Sequence, residues 1–276
     1  RLLADGSLDT TFGTGGVSLG TSLTQSTVSS LLVQSDGKVL VLDSTQSRLT
    51  RLNADGAVDT SFCAGGTLAL VPTYFTSPNG ASSMALLGDG KILLVGAKLN
   101  SSTSLNEFAV VRITSAGAVD TTFDTDGLVT VDVGAGADFG RTIAVQSDGK
   151  ILIGGYASNG TNDDFALVRL NADGSLDTSF GGTGKVVKAL GSGTDQARSM
   201  VLQDDGKIVL AGQSSSDFGL VRFLSNGTVD SSFGSAGVVV SQLSVGAADD
   251  LFSLVRQSDG KYLAVGYATI SSVQRI

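Results

Sequence analysis

Residues 169–181, RLNADGSLDTSFG, decide how the chain is read, because the same thirteen-residue frame returns four more times with small changes. It appears as RLLADGSLDTTFG from Arg1, RLNADGAVDTSFC from Arg51, RITSAGAVDTTFD from Arg112 and RFLSNGTVDSSFG from Arg222. Arg275 and Ile276 open a sixth copy. Successive arginines lie 50, 61, 57, 53 and 53 residues apart, and a second marker, Asp-Gly-Lys, recurs at Asp36, Asp89, Asp148, Asp205 and Asp259. A fixed frame at this period marks tandem supersecondary units, each unable to bury its faces alone.

Working outward from that frame, each unit reads as four short strands. In the copy where they are clearest these are RTIAVQ (strand a), ILIGGYA (b), FALVRL (c) and GKVVKAL (d), with β-branched and aromatic residues in the strands and Gly, Asp, Asn and Ser filling the gaps. Four-stranded units in tandem predict an all-β β-propeller of antiparallel blades in a single domain over residues 1–276. Five blades follow if the ring closes within the chain, with Val17 to Gly20 supplying strand d to the sheet of strands near Phe252 to Ile276. A six- or seven-bladed ring lacking copies fits the same repeat. Because residue 1 is Arg, and no charged-then-apolar leader precedes the first copy, the chain is expected to be part of a longer protein.

The wording LNADGSLDTSFG, with VQSDGKILIGGY and DDFALVRLNADG, resembles the bacterial delta-sixty repeat family over essentially the whole chain. That resemblance implies propeller blades in large secreted or surface proteins, and it brings no catalytic residues with it. Two copies depart from the pattern: Ser115-Ala116-Gly117 loses the turn Asp, and Gly88 replaces the Ser before Asp89.

Composition agrees with an all-β fold and narrows the function. There are 37 Gly, no Trp and no His, and Glu107 is the one glutamate among 26 acidic residues, so nearly every acid is an Asp suited to turns. A net charge of −8 opposes nucleic-acid binding, and 11 of the 18 basic residues hold fixed places in the repeat. Cys63 is the single cysteine, so no internal disulfide forms, and no apolar run approaches the ~20 residues of a membrane span. Membrane insertion by this domain is therefore not expected. Without histidine, Ser-His-Asp catalysis and His-ligated metals are out of reach.

Loop lengths separate scaffold from adjustable surface. Each repeat Arg precedes its Phe by 11 residues, at Phe12, Phe62, Phe123, Phe180 and Phe233, so the c to d connection is a packed element. These rings are expected to wedge between blades, with Asp9, Asp59, Asp120, Asp177 and Asp230 bonding local amides, and with positive φ at Gly6, Gly56, Gly117, Gly174 and Gly227. In contrast, the distance from the marker Asp to the next Arg varies as 15, 23, 21, 17 and 16 residues, so the b to c loops accept insertions. In an up-and-down blade these loops share one face with the d to a links, and variable loops on a rigid scaffold are where recognition is placed.

The candidate ligand-binding residues on that face are Tyr74, Phe75, Asn79, Asn106, Asp138, Arg141, Asn162, Asp163, Asp195, Arg198 and Asp249. Tyr74 and Phe75 form a candidate stacking platform, against the alternative that one of them packs beneath its own loop. Asp138, Asp195 and Asp249 recur 15 or 16 residues after the motif Phe, either lining a central opening or pairing locally, Asp138 with Arg141 and Asp195 with Arg198. Asp124 and Asp126 are weak calcium candidates that also read as a turn; otherwise no metal or cofactor is expected. The expected role is a non-enzymatic extracellular or cell-surface recognition module for a glycan or a protein. The alternatives are a glycoside hydrolase using Asp138, Asp195, Asp249 and Glu107, and a structural spacer.

Overall fold

The computed structural model describes residues 1–18, 27–45, 47–71, 73–76, 80–243, 248–270 and 273–275. Nineteen strands among them form five antiparallel sheets, one per repeat. The first holds β1 (Val28–Val33), β2 (Val39–Asp43), β3 (Arg48–Leu52) and β4 (Thr67–Ala69). The second holds β5 (Ser83–Leu86), β6 (Ile92–Asn100), β7 (Leu105–Ile113) and β8 (Leu128–Val131). The third holds β9 (Asp138–Val145), β10 (Ile151–Ser158), β11 (Asp163–Leu170) and β12 (Lys185–Lys188). The fourth holds β13 (Asp195–Leu202), β14 (Ile208–Ser214), β15 (Asp217–Phe223) and β16 (Val238–Ser241). The fifth holds β17 (Asp249–Arg256), β18 (Tyr262–Ile270) and β19 (Val273–Arg275). The strands fall in the order a-b-c-d read from the repeat.

The chain divides into two compact units, residues 1–98 with 109–129, and residues 99–108 with 130–276. In the first, Leu40, Leu42, Leu49, Phe62, Leu70, Phe75, Ile92, Leu94 and Val111 share one buried cluster. In the second, Leu152, Phe165, Leu167, Phe180, Ile208, Leu210 and Phe223 do the same, and Val209, Ala211 and Leu251 build a smaller cluster. Each cluster mixes residues of successive repeats, which is how a four-stranded sheet with two apolar faces keeps both from water.

The motif frame is a latch. Arg169 Nε donates to Asp177 Oδ2 at 2.7 Å, its guanidinium carbon sits 4.4 Å from the Phe180 ring centroid, and Nη1 donates to the Ser225 carbonyl of the next repeat at 2.7 Å. The Gly181 amide bonds the Asn226 carbonyl, and the fully buried Phe180 ring lies against Gly227, where an added Cβ would meet Cε2 at 3.0 Å. Gly227 also has φ +89°, and its counterparts Gly6, Gly56, Gly117 and Gly174 are likewise positive, as the turn reading requires. The Asp also accepts the Ser179 amide and hydroxyl, so the turn and wedge roles read from sequence hold in detail.

A fourth member of the latch comes from the other fixed turn. Lys150 of the a to b turn reaches Asp177 at 2.8 Å, as Lys38 reaches Asp59, Lys91 reaches Asp120 and Lys207 reaches Asp230. The a to b and c to d turns therefore meet at one end of each of the first four sheets. Hydrogen bonds from hydroxyls and cations hold these carboxyls well below the usual carboxylate range. For Asp59 and Asp230 the leading contribution is the hydroxyl of Ser61 or Ser232, and Asp230 falls to about 2. For Asp177 burial opposes the shift and is outweighed by Lys150, Ser179 and Arg169.

The weak calcium candidates prove to be turn residues. Asp124 has φ +53°, the place taken by Gly13, Gly181 and Gly234 in other copies and by Cys63 with φ +52° in another. Asp126 accepts the Leu128 amide, and among the described residues no cluster of His, Cys, Asp or Glu is arranged to hold a metal. The fourth strand expected for the fifth sheet from Val17 to Gly20 is not seen among the described residues, where that sheet holds three strands and Val17 bridges Thr14; Leu19 and Gly20 lie outside the described residues. In the fifth sheet Leu263 is 53% exposed, whereas its counterparts Leu152 and Val209 are fully buried.

Candidate ligand-binding site

The end of the second unit opposite the latches is built by the first residues of β9, β13 and β17, together with the b to c loops. Three aspartates begin these strands. Asp138 accepts the amides of Val133 at 2.6 Å and Gly134, Asp195 accepts those of Leu190 at 2.7 Å and Gly191, and Asp249 accepts that of Leu243 at 2.8 Å. All three are fully buried. Their spacing of 15 or 16 residues after the motif Phe has a structural cause, since each carboxylate ties down the d to a link that precedes it. Burial pushes the Asp138 carboxyl up, and the Val133 and Gly134 amides work against that. These residues do not line an opening.

Three residues beyond each aspartate the strand bulges. Pairing slips between Gly154 and Gly155 opposite β9, between Ala197 and Ser199 in β13, and between Leu251 and Ser253 in β17. The extra residues are Arg141, Arg198 and Phe252. A bulge re-aims one side chain out of the alternating pattern, so the repeat delivers three side chains of large contact area from equivalent positions on neighbouring strands. Sequence reading found the two arginines and missed Phe252, whose alignment with them was the available signal.

Around these residues lies an aromatic and polar lining. The Arg141 guanidinium sits 5.5 Å from the Phe139 centroid and 5.3 Å from that of Tyr156, and Nη2 donates to the Tyr156 hydroxyl at 2.8 Å. Arg198 does not pair with Asp195. It crosses to the next blade, where Nε and Nη2 meet the two oxygens of Asp250 at 2.9 and 2.8 Å. Its guanidinium also lies 5.5 Å from the Phe252 centroid, and Phe252 in turn is 5.6 Å from Tyr267 with planes tilted by 50°. Burial pushes the Asp250 carboxyl up, and Arg198 opposes that. Gln196 Nε2 donates to Asp163 Oδ2 at 2.7 Å, another link between successive blades.

The b to c loops pack on the neighbouring links, as their shared face requires. Asn162 Nδ2 donates to the carbonyls of Ser192 and Gly193, each at 2.9 Å, and Asn159 Nδ2 donates to Asp164. Where β6 ends and β7 begins, Glu107 is buried and accepts Asn100 Nδ2 at 2.5 Å, while Asn106 Oδ1 is buried with no hydrogen-bond partner among the described residues.

The aromatic platform expected at Tyr74 and Phe75 does not form. Phe75 is fully buried in the core of the first unit, its ring against Gly96, where an added Cβ would meet Cδ1 at 2.8 Å; Tyr74 is half-buried on the same cluster. The apolar demand of the sheet captured a ring whose polar surroundings in the sequence point to solvent. Asn79 lies outside the described residues.

Four stretches of the chain, residues 34–62, 87–123, 146–180 and 203–233, match a family model described as "Domain of unknown function (DUF5122) beta-propeller". Each stretch runs from the a to b turn to the motif Phe, so the matched segments are the latches themselves. The chain is a β-propeller repeat protein. Solved structures share this fold at low identity. A streptogramin B lyase is 13% identical with TM-score 0.55, over 94% of this chain and 72% of that one. The endo-arabinase from Bacteroides thetaiotaomicron is 12% identical with TM-score 0.52, over 90% and 92%, and the Dos1 propeller is 13% identical with TM-score 0.52, over 88% and 54%. No match is found among curated proteins. Such different activities on one fold make the propeller a scaffold, and function must be argued from the site.

Proposed function

We propose that the chain is a recognition module of the delta-sixty repeat type, displayed on or secreted from a bacterial cell, that binds glycan through the bulged ends of β9, β13 and β17. The observation that carries this reading is the repeated bulge, which presents Arg141, Arg198 and Phe252 beside Phe139 and Tyr267, with the buried Tyr156 accepting from Arg141 through its hydroxyl. Aromatic faces with guanidinium and amide groups at their edges suit sugars, whose rings offer apolar C–H faces and a rim of hydroxyls. Binding fits better than hydrolysis. Glycoside hydrolysis needs two carboxyl groups free to meet the scissile bond, whereas Asp138, Asp195 and Asp249 spend oxygens on backbone amides and Glu107 is bonded to Asn100.

A glycan array screened with the purified protein tests the reading, followed by calorimetry on any hits. Binding that is lost on Arg141→Ala or Arg198→Ala supports it. A protein that binds no glycan refutes it and leaves a protein ligand or the spacer role, and release of reducing sugar from a bound oligosaccharide would point to the hydrolase.

A further inference from the structure

Arg141, Arg198 and Phe252 occupy equivalent bulges, but their surroundings differ in a way that singles out one of them. In the third blade the arginine lies over both neighbouring rings, Phe139 and Tyr156, so its own guanidinium covers those aromatic faces. In the fifth blade the bulged residue is itself the ring. Phe252 remains 51% exposed although Tyr267 and Arg198 both approach it, and it lies in the sheet whose Val255, Leu263 and Val265 are exposed as well. Arg198 is held beside it by two bonds to Asp250, which fix the plane of the guanidinium and leave Nη1 without a partner among the described residues. A rigid planar donor next to an open ring face is preorganised, and fixing groups in their bound geometry lowers the entropic cost of binding.

The charge around this ring selects among ligands. The three bulge regions carry two arginines, Arg141 and Arg198, against six aspartates, Asp138, Asp163, Asp164, Asp195, Asp249 and Asp250, and the whole chain carries −8. One of the two guanidiniums is already neutralised by Asp250 at 2.8 Å. An anionic ligand would meet a net negative field, whereas an uncharged one would not.

Resting on the glycan reading above, we propose that Phe252, Tyr267, Arg198 and Asp250 form a subsite for one neutral pyranose, its C–H face on Phe252 and a hydroxyl on Arg198 Nη1. The Asp250 carboxylate positions Arg198 and is itself buried, so its part is to orient the guanidinium.

The test measures binding of neutral oligosaccharides (xylo-, manno-, galacto- and cello-series) and of acidic ones (oligogalacturonate and sialyllactose) to the whole chain by saturation-transfer NMR and calorimetry. Neutral probes are expected to bind and acidic ones not. Phe252→Ala is expected to weaken binding about 10-fold, and Phe252→Trp to preserve it. Because Phe252 is surface-exposed, the alanine variant is expected to keep its unfolding midpoint, and Arg198→Met provides a second variant with the same loss of affinity. If neutral probes bind but Phe252→Ala and Arg198→Met bind as well as the parent, the subsite is overturned while the glycan reading stands. Preferential binding of the acidic probes also overturns the subsite. Failure of every probe overturns both.

Discussion

Replacing Arg169 with Met should cost far more stability than the same change at Arg222, although the two arginines hold the same place in the repeat. Arg169 is buried, donates to Asp177, reaches the Ser225 carbonyl of the following repeat and lies over Phe180. Methionine keeps much of the apolar stem but leaves Asp177 buried with Lys150 as its one remaining cation. Removing one member of a buried pair costs about 3–5 kcal/mol. Arg222 also bonds its aspartate, at 2.9 Å, but it is more exposed, and it donates to the Ser232 hydroxyl in its own turn. Its loss should cost about 1–2 kcal/mol. Equilibrium urea unfolding followed by circular dichroism reads both values, and adding Asp177→Asn to Arg169→Met should recover about 1–3 kcal/mol of the expected sum. If Arg222→Met proves as damaging as Arg169→Met, the connection to the next repeat is not what makes the latch strong.

Acid should loosen every latch together. Asp59, Asp120, Asp177 and Asp230 have folded pKa values below the unfolded value of about 3.9, so their contribution is complete above that pH and is lost as pH falls. A urea midpoint that drops from about pH 4 toward pH 2 checks this, the raised carboxyls of Asp138 and Asp250 opposing the drop. Asp124→Gly should raise stability by about 0.5–1 kcal/mol, because glycine takes the left-handed backbone at that turn without penalty; thermal unfolding would show it. Phe75→Ala should cost about 3–5 kcal/mol by opening a cavity, while glycan binding measured on its remaining folded fraction stays unchanged.

The fold was legible in the sequence because every repeat reports the same local physics. The strand runs, the fixed Arg-to-Phe distance and the turn glycines at positive φ all follow from short-range backbone and packing requirements, so five copies reinforced one reading. The latch was half visible. The Asp and Phe roles could be inferred from their turn, but Lys150 lies 27 residues before Asp177, and the sequence offers no direct sign that the two turns meet. The same limit applied at the candidate site, where Arg141 and Arg198 stood out as charges while Phe252 did not.

By itself the sequence determined the repeat, its four-strand grammar, the separation of fixed turns from variable loops, and the absence of histidine chemistry. Tertiary structure decided which side chains face outward. Whether Phe75 or Phe252 meets solvent, and whether Asp138 serves a ligand or its own backbone, depends on burial against residues from other repeats and on a one-residue bulge that reverses the strand's alternation. Those are properties of register and packing between sheets, and residue order along a single strand does not encode them.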